Sequence, residues 1–128
     1  MEQRFLIDTN IAIYFLAGVL PPQSLPFVNM VFLAGVNLSV ITQIELLGWQ
    51  FPDGNRAATA AVFVERATLL PLDEAVVKQT IMLRKQYKIK LPDAIIAATA
   101  LVYDLTLISR NDKDFLPIPG LTYRNPFR

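Results

Sequence analysis

Apolar residues along this chain fall into two alternating patterns. Short blocks rich in aliphatic and β-branched residues occur at Phe5-Leu6-Ile7, Val36-Asn37-Leu38, Thr68-Leu69-Leu70 and Thr106-Leu107-Ile108. Between them lie longer stretches in which apolar residues recur three or four positions apart. Val76, Thr80, Leu83 and Tyr87 do so, with Val77 and Ile81 beside them. The first pattern predicts buried strands and the second predicts helices. Strands are expected at residues 4–7, 36–39, 68–70 and 106–108, with a last edge strand at 121–123. Helices are expected at residues 11–17, 25–34, 42–47, 57–67, 74–88 and 92–103. Gly18 followed by Pro21-Pro22, then Gly35 and Gly48, mark helix ends. Asp73 is placed to cap the long helix that follows it, and Pro92 suits the first turn of the next. Phe51-Pro52-Asp53-Gly54-Asn55 carries the chemistry of a turn.

Strands that alternate with helices imply an α/β fold with a mainly parallel sheet covered on both faces, a three-layer α/β/α arrangement. No linker, repeat or low-complexity tract interrupts the chain, so residues 1–128 are expected to form one domain.

Composition narrows the chemistry. Hydrophobic residues make up 53% of the chain, enough for a packed core. Twelve basic and 11 acidic residues give a net charge of +1, so any nucleic-acid contact must be local. With no cysteine, disulfides and thiolate ligands are excluded. With no histidine, a Ser-His-Asp triad and imidazole metal sites are excluded too. An enzyme built from this sequence must work with carboxylates. No charged residue occurs between Asp8 and Glu45, yet prolines and polar residues break that stretch before about 20 apolar residues accumulate. No signal-peptide pattern opens the chain. A soluble, cytoplasmic protein away from any membrane is expected, with the apolar excess serving core and subunit contacts.

The acids themselves are placed unusually. Asp8 ends the first strand, where open α/β sheets gather their chemistry. Glu45 sits in Gln43-Ile44-Glu45-Leu46-Leu47, Asp93 in Leu91-Pro92-Asp93-Ala94-Ile95-Ile96, and Asp112 and Asp114 follow the strand at 106–108. Carboxylates in apolar settings are costly unless paired or bound to a cation, and several converging on one spot suit a hard metal ion. Each has a plainer role open to it. Asp8 suits a helix cap, Thr42-x-x-Glu45 matches a capping box, Asp93 suits a first helical turn, and Asp112 and Asp114 suit turns. Glu2, Asp53, Glu65, Asp73, Glu74 and Asp104 are assigned no chemistry. Arg84, Lys85, Lys88 and Lys90 precede Asp93 and either line a phosphate-binding groove or decorate a helix end. Arg110 and Lys113 flank the last acids and are the better candidates for phosphate contacts.

With these residues in view, the chain resembles the PIN-domain nucleases, and within them the VapC-like toxins of prokaryotic toxin–antitoxin pairs. The resemblance rests on Leu6-Ile7-Asp8-Thr9-Asn10, Glu45 with its apolar neighbours, Leu91-Pro92-Asp93-Ala94-Ile95-Ile96-Ala97-Ala98, and Leu107-Ile108-Ser109-Arg110-Asn111-Asp112-Lys113-Asp114-Phe115. The ending Pro119-Gly120-Leu121 with Asn125-Pro126-Phe127 also fits. It implies a ribonuclease dependent on Mg²⁺ or Mn²⁺ that leaves 5′-phosphate and 3′-hydroxyl ends, a frequent homodimer and a cognate antitoxin. By position it implies that Asp8, Glu45 and Asp93 are three site acids, with Asp114 or Asp112 as the fourth. Asp8, Asp93 and Asp112 or Asp114 would hold metal, with Asn10 and Ser109 in support. Ser109 stands where many relatives have Thr and keeps the hydroxyl. Residues 21–32 are expected to contribute to the dimer or antitoxin surface.

Other readings fit less well. A catalytically silent, protein-binding PIN-like module would have no need of all the matching acids. A haloacid-dehalogenase-like phosphatase needs a second Asp where this chain has Asn10, and no Gly-rich phosphate loop follows the first strand.

Overall fold

A computed structural model describes residues 4–128. The elements run β1 (Phe5–Ile7), α1 (Thr9–Ala17), a 3₁₀ turn (Pro22–Ser24), α2 (Leu25–Ala34), β2 (Val36–Ser39), α3 (Val40–Leu47), α4 (Gly54–Arg66), β3 (Thr68–Leu70), α5 (Glu74–Gln86), α6 (Leu91–Tyr103), β4 (Thr106–Ile108), α7 (Asp112–Phe115) and β5 (Tyr123–Arg124). All five strands join one parallel sheet in the order β3-β2-β1-β4-β5. Phe5 pairs with Val36 on one side and Thr106 on the other, so β1 lies at the centre.

Alternation along the central strands divides the core in two. Leu6 and Leu107 point into one apolar cluster with Val76, Leu83, Ile96 and Phe115. Phe5, Ile7 and Ile108 point into the other with Ile11, Val31, Leu38, Leu46 and Val64. Helices α5 and α6 therefore cover one face, and α1, α2 and α4 the other. This is the three-layer α/β/α arrangement read from the alternation. The charge-free stretch supplies core from α1 and α2, which meet at 116°. Among the described residues no single helix is long and apolar enough to cross a membrane.

Boundaries moved where side chains closed a helix differently. Helix α1 begins at Thr9 because Asp8 caps it, and Gly18 ends it at φ 71°. Helix α4 begins at Gly54, within the expected turn, because the Asp53 side chain accepts from Asn55 N. The capping box at Thr42 and Glu45 does not form. Ser39 caps α3, which begins at Val40, two residues earlier than expected; Ser39 Oγ accepts from Ile41 N at 3.1 Å, which places Thr42 inside the helix. Helix α5 stops at Gln86 rather than residue 88, and the last strand lies at Tyr123–Arg124 rather than 121–123. The segment of Asp112 and Asp114, read as a turn, closes into the one-turn helix α7. Asp73 caps α5, and Pro92 occupies the first turn of α6, as expected. Glu2 lies outside the described residues.

Candidate active site

The strand order fixes where a site can form. From β1 the chain steps to β2 and β3 on one side, then returns to place β4 on the other. Loops leaving β1 and β4 at their C-terminal ends therefore diverge and leave a crevice, the usual ligand position in an open parallel sheet. Asp8 follows β1 directly, and Ser109 follows β4 directly. Backbone pairing locks the two exits together, with Asp8 N donating to Ile108 O at 3.0 Å.

Asp8 is 4% exposed. Its Oδ1 accepts from Thr9 N at 2.8 Å and its Oδ2 from Ser109 Oγ at 2.6 Å. Burial raises its pKa to about 6, Ser109 and Thr9 oppose that, and the nearby charges of Asp93 and Glu45 add to it. Asp93, in the first turn of α6, is also raised, by burial and then by Asp114 and Glu45, while Lys90 offsets part of the effect. The two acids report the same assembly from opposite sides. Asp8 follows β1, and Glu45, Asp93 and Asp114 come from α3, α6 and α7; Asp93 lies within electrostatic reach of the other three, and Asp8 also within reach of Glu45.

Each is held by a neighbour. Glu45 accepts a hydrogen bond from Thr9 Oγ1 at 2.7 Å, and Thr9 Oγ1 lies 2.9 Å from Thr42 Oγ1. Asp114 accepts from Asn111 Nδ2 at 2.8 Å, while Asn111 Oδ1 caps α7 through Asp114 N. Asn111 N in turn donates to Ser109 Oγ at 3.0 Å. Ser109 thus links Asp8 to the segment carrying Asp114. Among the described residues no three of the acids are drawn into a closed cage for an ion. By chemistry the donor set is all oxygen, which suits a hard divalent cation and no soft one.

The two candidates for the fourth acid have different surroundings. Asp114 faces Asp93. Asp112 turns the other way and accepts from Tyr123 OH at 2.6 Å, Asn125 Nδ2 at 3.2 Å, and Arg128 Nε and Nη2 at 3.0 and 2.9 Å. The Arg128 guanidinium, then the Tyr123 hydroxyl, hold its carboxyl down at about 2.

Two openings flank the acids. One, of about 330 Å³, is lined by Asp8, Asn10, Tyr14, Ser109, Arg110 and Asn111. The other, of about 500 Å³, is lined by Arg84, Lys88, Ile89, Lys90, Lys113 and Asp114. Arg84 is partly committed, donating to Ile89 O at 2.8 Å. Lys85 lines neither opening.

The chain and its fold match a known family. The PIN domain family model matches residues 5–121. The chain belongs to the PIN-domain family. It is similar to a protein of Rickettsia bellii described as Ribonuclease VapC, 28% identical over 125 residues and covering 91% of each. It is similar in structure to a toxin–antitoxin complex from Klebsiella pneumoniae, at 30% identity and a TM-score of 0.70, covering 96% of this chain and 98% of that one. FitAcB from Neisseria gonorrhoeae matches at 26% identity and a TM-score of 0.77, covering 97% and 98%.

This PIN domain also holds groups that the sequence analysis did not single out. Thr9 fastens Glu45, and Asn111 fastens Asp114. Asn111 carried a usable signal, since an Asn three residues before Asp114 is the spacing of a helix cap. The pairing of Thr9 with Thr42 joins two segments 33 residues apart and carried none.

Proposed function

We propose that this PIN domain is a metal-dependent endoribonuclease and the toxin of a toxin–antitoxin pair. The observation that carries the nuclease reading is the facing of Asp8, Glu45, Asp93 and Asp114 at the open end of the sheet, with Asp8 nearly fully buried among like charges. A buried carboxylate with acid neighbours is a liability for a protein that uses it only for structure, and a donor for one that binds a cation.

In this reading Asp8, Asp93 and Asp114 hold Mg²⁺ or Mn²⁺, directly or through water. Such an ion supplies charge neutralisation at the scissile phosphate and an acidified water. Glu45, steadied by Thr9, orients the attacking water and takes up its proton. Ser109 and Thr9 keep Asp8 aimed into the crevice. Lys113 and Arg110, one on each side of the acids, steady the RNA backbone by its phosphates, which position a strand without reading its sequence. Asp112 belongs to the C-terminal anchoring instead of the ion.

The antitoxin reading rests on the toxin–antitoxin complexes among the structural relatives. It also rests on an apolar cavity of about 330 Å³ between α1, α2 and α4, with Phe15, Phe32 and Phe63 on its walls. Phe32 lies in the segment 21–32, with Leu25, Met30 and Leu33 exposed nearby. A partner's apolar side chains suit such a surface.

The test is cleavage of a mixed structured RNA pool by the purified protein with Mg²⁺, with Mn²⁺ and with EDTA, alongside Asp93→Asn. Cutting that needs the metal and is lost in the variant supports the nuclease. Absence of metal binding by calorimetry overturns it in favour of a protein-binding module.

A further inference from the structure

The last residues of the described chain are tied to the mouth of the site by contacts that the proposed chemistry does not use. Asp112 gathers Tyr123, Asn125 and Arg128 onto the start of α7. Asn125 Oδ1 then accepts from Phe127 N at 2.8 Å, which closes a turn and presents the Phe127 ring. That ring stands edge-on to Tyr14, with centroids 5.8 Å apart at 76°. It also lies 4.3 Å beneath the guanidinium carbon of Arg110. Tyr14 and Arg110 both line the opening that holds Asp8, Asn10, Ser109 and Asn111.

Stacking on an aromatic ring occupies the face of a guanidinium and leaves its N–H donors, which lie in the plane, available. Among the described residues no carboxylate forms an ion pair with Arg110. An exposed arginine ordinarily samples many rotamers and loses that freedom when it grips a phosphate. Here the exposed side chain is held beforehand over the Phe127 ring, at the opening that Asp8 also lines.

We propose that residues 123–128 form a strap whose Phe127 positions Arg110 to receive the phosphate of the nucleotide that flanks the scissile bond in a single-stranded RNA. Phe127 is a positioning residue, acting through Arg110. The Asp112–Arg128 pair fastens the strap from outside the site. The inference rests on the nuclease reading, and it adds a residue contribution that the acids alone do not require.

The test compares Phe127→Ala, Phe127→Tyr, Arg110→Ala and the Phe127→Ala/Arg110→Ala double variant. Cleavage of fluorescently labelled single-stranded RNA gives KM and kcat, and affinity for the same RNA is measured in the Asp93→Asn background across a salt series. Phe127→Ala is expected to raise KM and Kd roughly five- to tenfold and to flatten the salt dependence as Arg110→Ala does. Its kcat should change less than about twofold. Phe127→Tyr, which keeps the ring, should behave as the parent, and the double variant should be no worse than Arg110→Ala. Effects of Phe127→Ala that add in full to those of Arg110→Ala would overturn the proposal, as would a fall in kcat alone or an unchanged KM. Should Phe127→Ala fail to fold, Asp112→Asn loosens the strap without removing the Phe127 side chain and must give the same KM-weighted defect. A parent protein that neither cuts nor binds RNA defeats the nuclease reading and this inference together. A parent that cuts, with a Phe127→Ala variant indistinguishable from it, defeats this inference alone.

Discussion

Asp8 sets the acid–base behaviour of the molecule. Its carboxyl titrates near 6 in the fold against an ordinary 3.8, so the folded state holds its proton more tightly than the unfolded chain does. Its contribution to stability is therefore full below pH 3.8 and is lost as pH rises through 6. The shift corresponds to roughly 3 kcal/mol against the folded, metal-free protein at neutral pH. Asp8→Asn should raise the neutral-pH stability of that protein by about 1–3 kcal/mol in urea melts while abolishing RNA cleavage. A variant as unstable as the parent would refute the burial argument. Added Mn²⁺ should raise the parent's melting temperature more at pH 7.5 than at pH 5, because only the ionised carboxylate is a ligand. Asp112 has the opposite sign. Held down at about 2, it contributes above pH 3.8 and loses that contribution as pH falls through 2. The two aspartates flanking Lys113 should accordingly separate in kinetics. Asp114→Asn is expected to cost at least about 100-fold in kcat. Asp112→Asn should act mainly on KM and thermal stability. Equal kcat losses in both would return Asp112 to the site.

At the scale of elements, the start of α3 is the sensitive joint. Ser39 ends β2 and caps α3 at once, and Glu45 projects from the second turn of that helix toward Thr9. Ser39→Ala should cost about 1 kcal/mol of stability in chemical denaturation. It should also lower cleavage several-fold through Glu45, whereas Asp53→Ala, at the α4 cap far from the acids, should cost stability alone. The alternation that separated strands from helices was legible because β1 and β4 are solid apolar blocks buried on both faces, as a parallel sheet demands. Cap positions were less so. Both Ser39 and Thr42 precede the helix pattern of α3, and only tertiary contact with Thr9 shows that Thr42 is spoken for. The same holds for the acids. Asp8, Glu45 and Asp93 stood out by their apolar surroundings. The surroundings that distinguish Asp112 from Asp114 come from Tyr123, Asn125 and Arg128, which bond Asp112 and have no periodic signature.

For the whole molecule, charge and apolar surface point in different directions. A net charge of +1 gives no long-range pull on nucleic acid, so RNA affinity should fall with salt only as steeply as the few cations beside the acids allow. Apolar surface is more generous. Leu72, Val77, Ile81 and Leu91 remain exposed around a small cavity between α5 and α6, on the sheet face opposite the aromatic cavity. For the homodimer that the family resemblance implies, that apolar surface is a candidate seam. Ile81→Lys should shift a dimer to monomer in sedimentation velocity without altering the circular dichroism spectrum; a parent that already sediments as a monomer would remove this role. The Ser109–Asp8 hydrogen bond, finally, spans 101 positions of sequence. During synthesis Asp8, Glu45 and Asp93 all emerge before the strand that completes their setting. Until β4 arrives, β1 is an edge, Asp8 has no hydroxyl to steady it, and Asp114 does not yet exist. On the ribosome, the acid cluster of a growing chain therefore stays incomplete until β4 and α7 have been made.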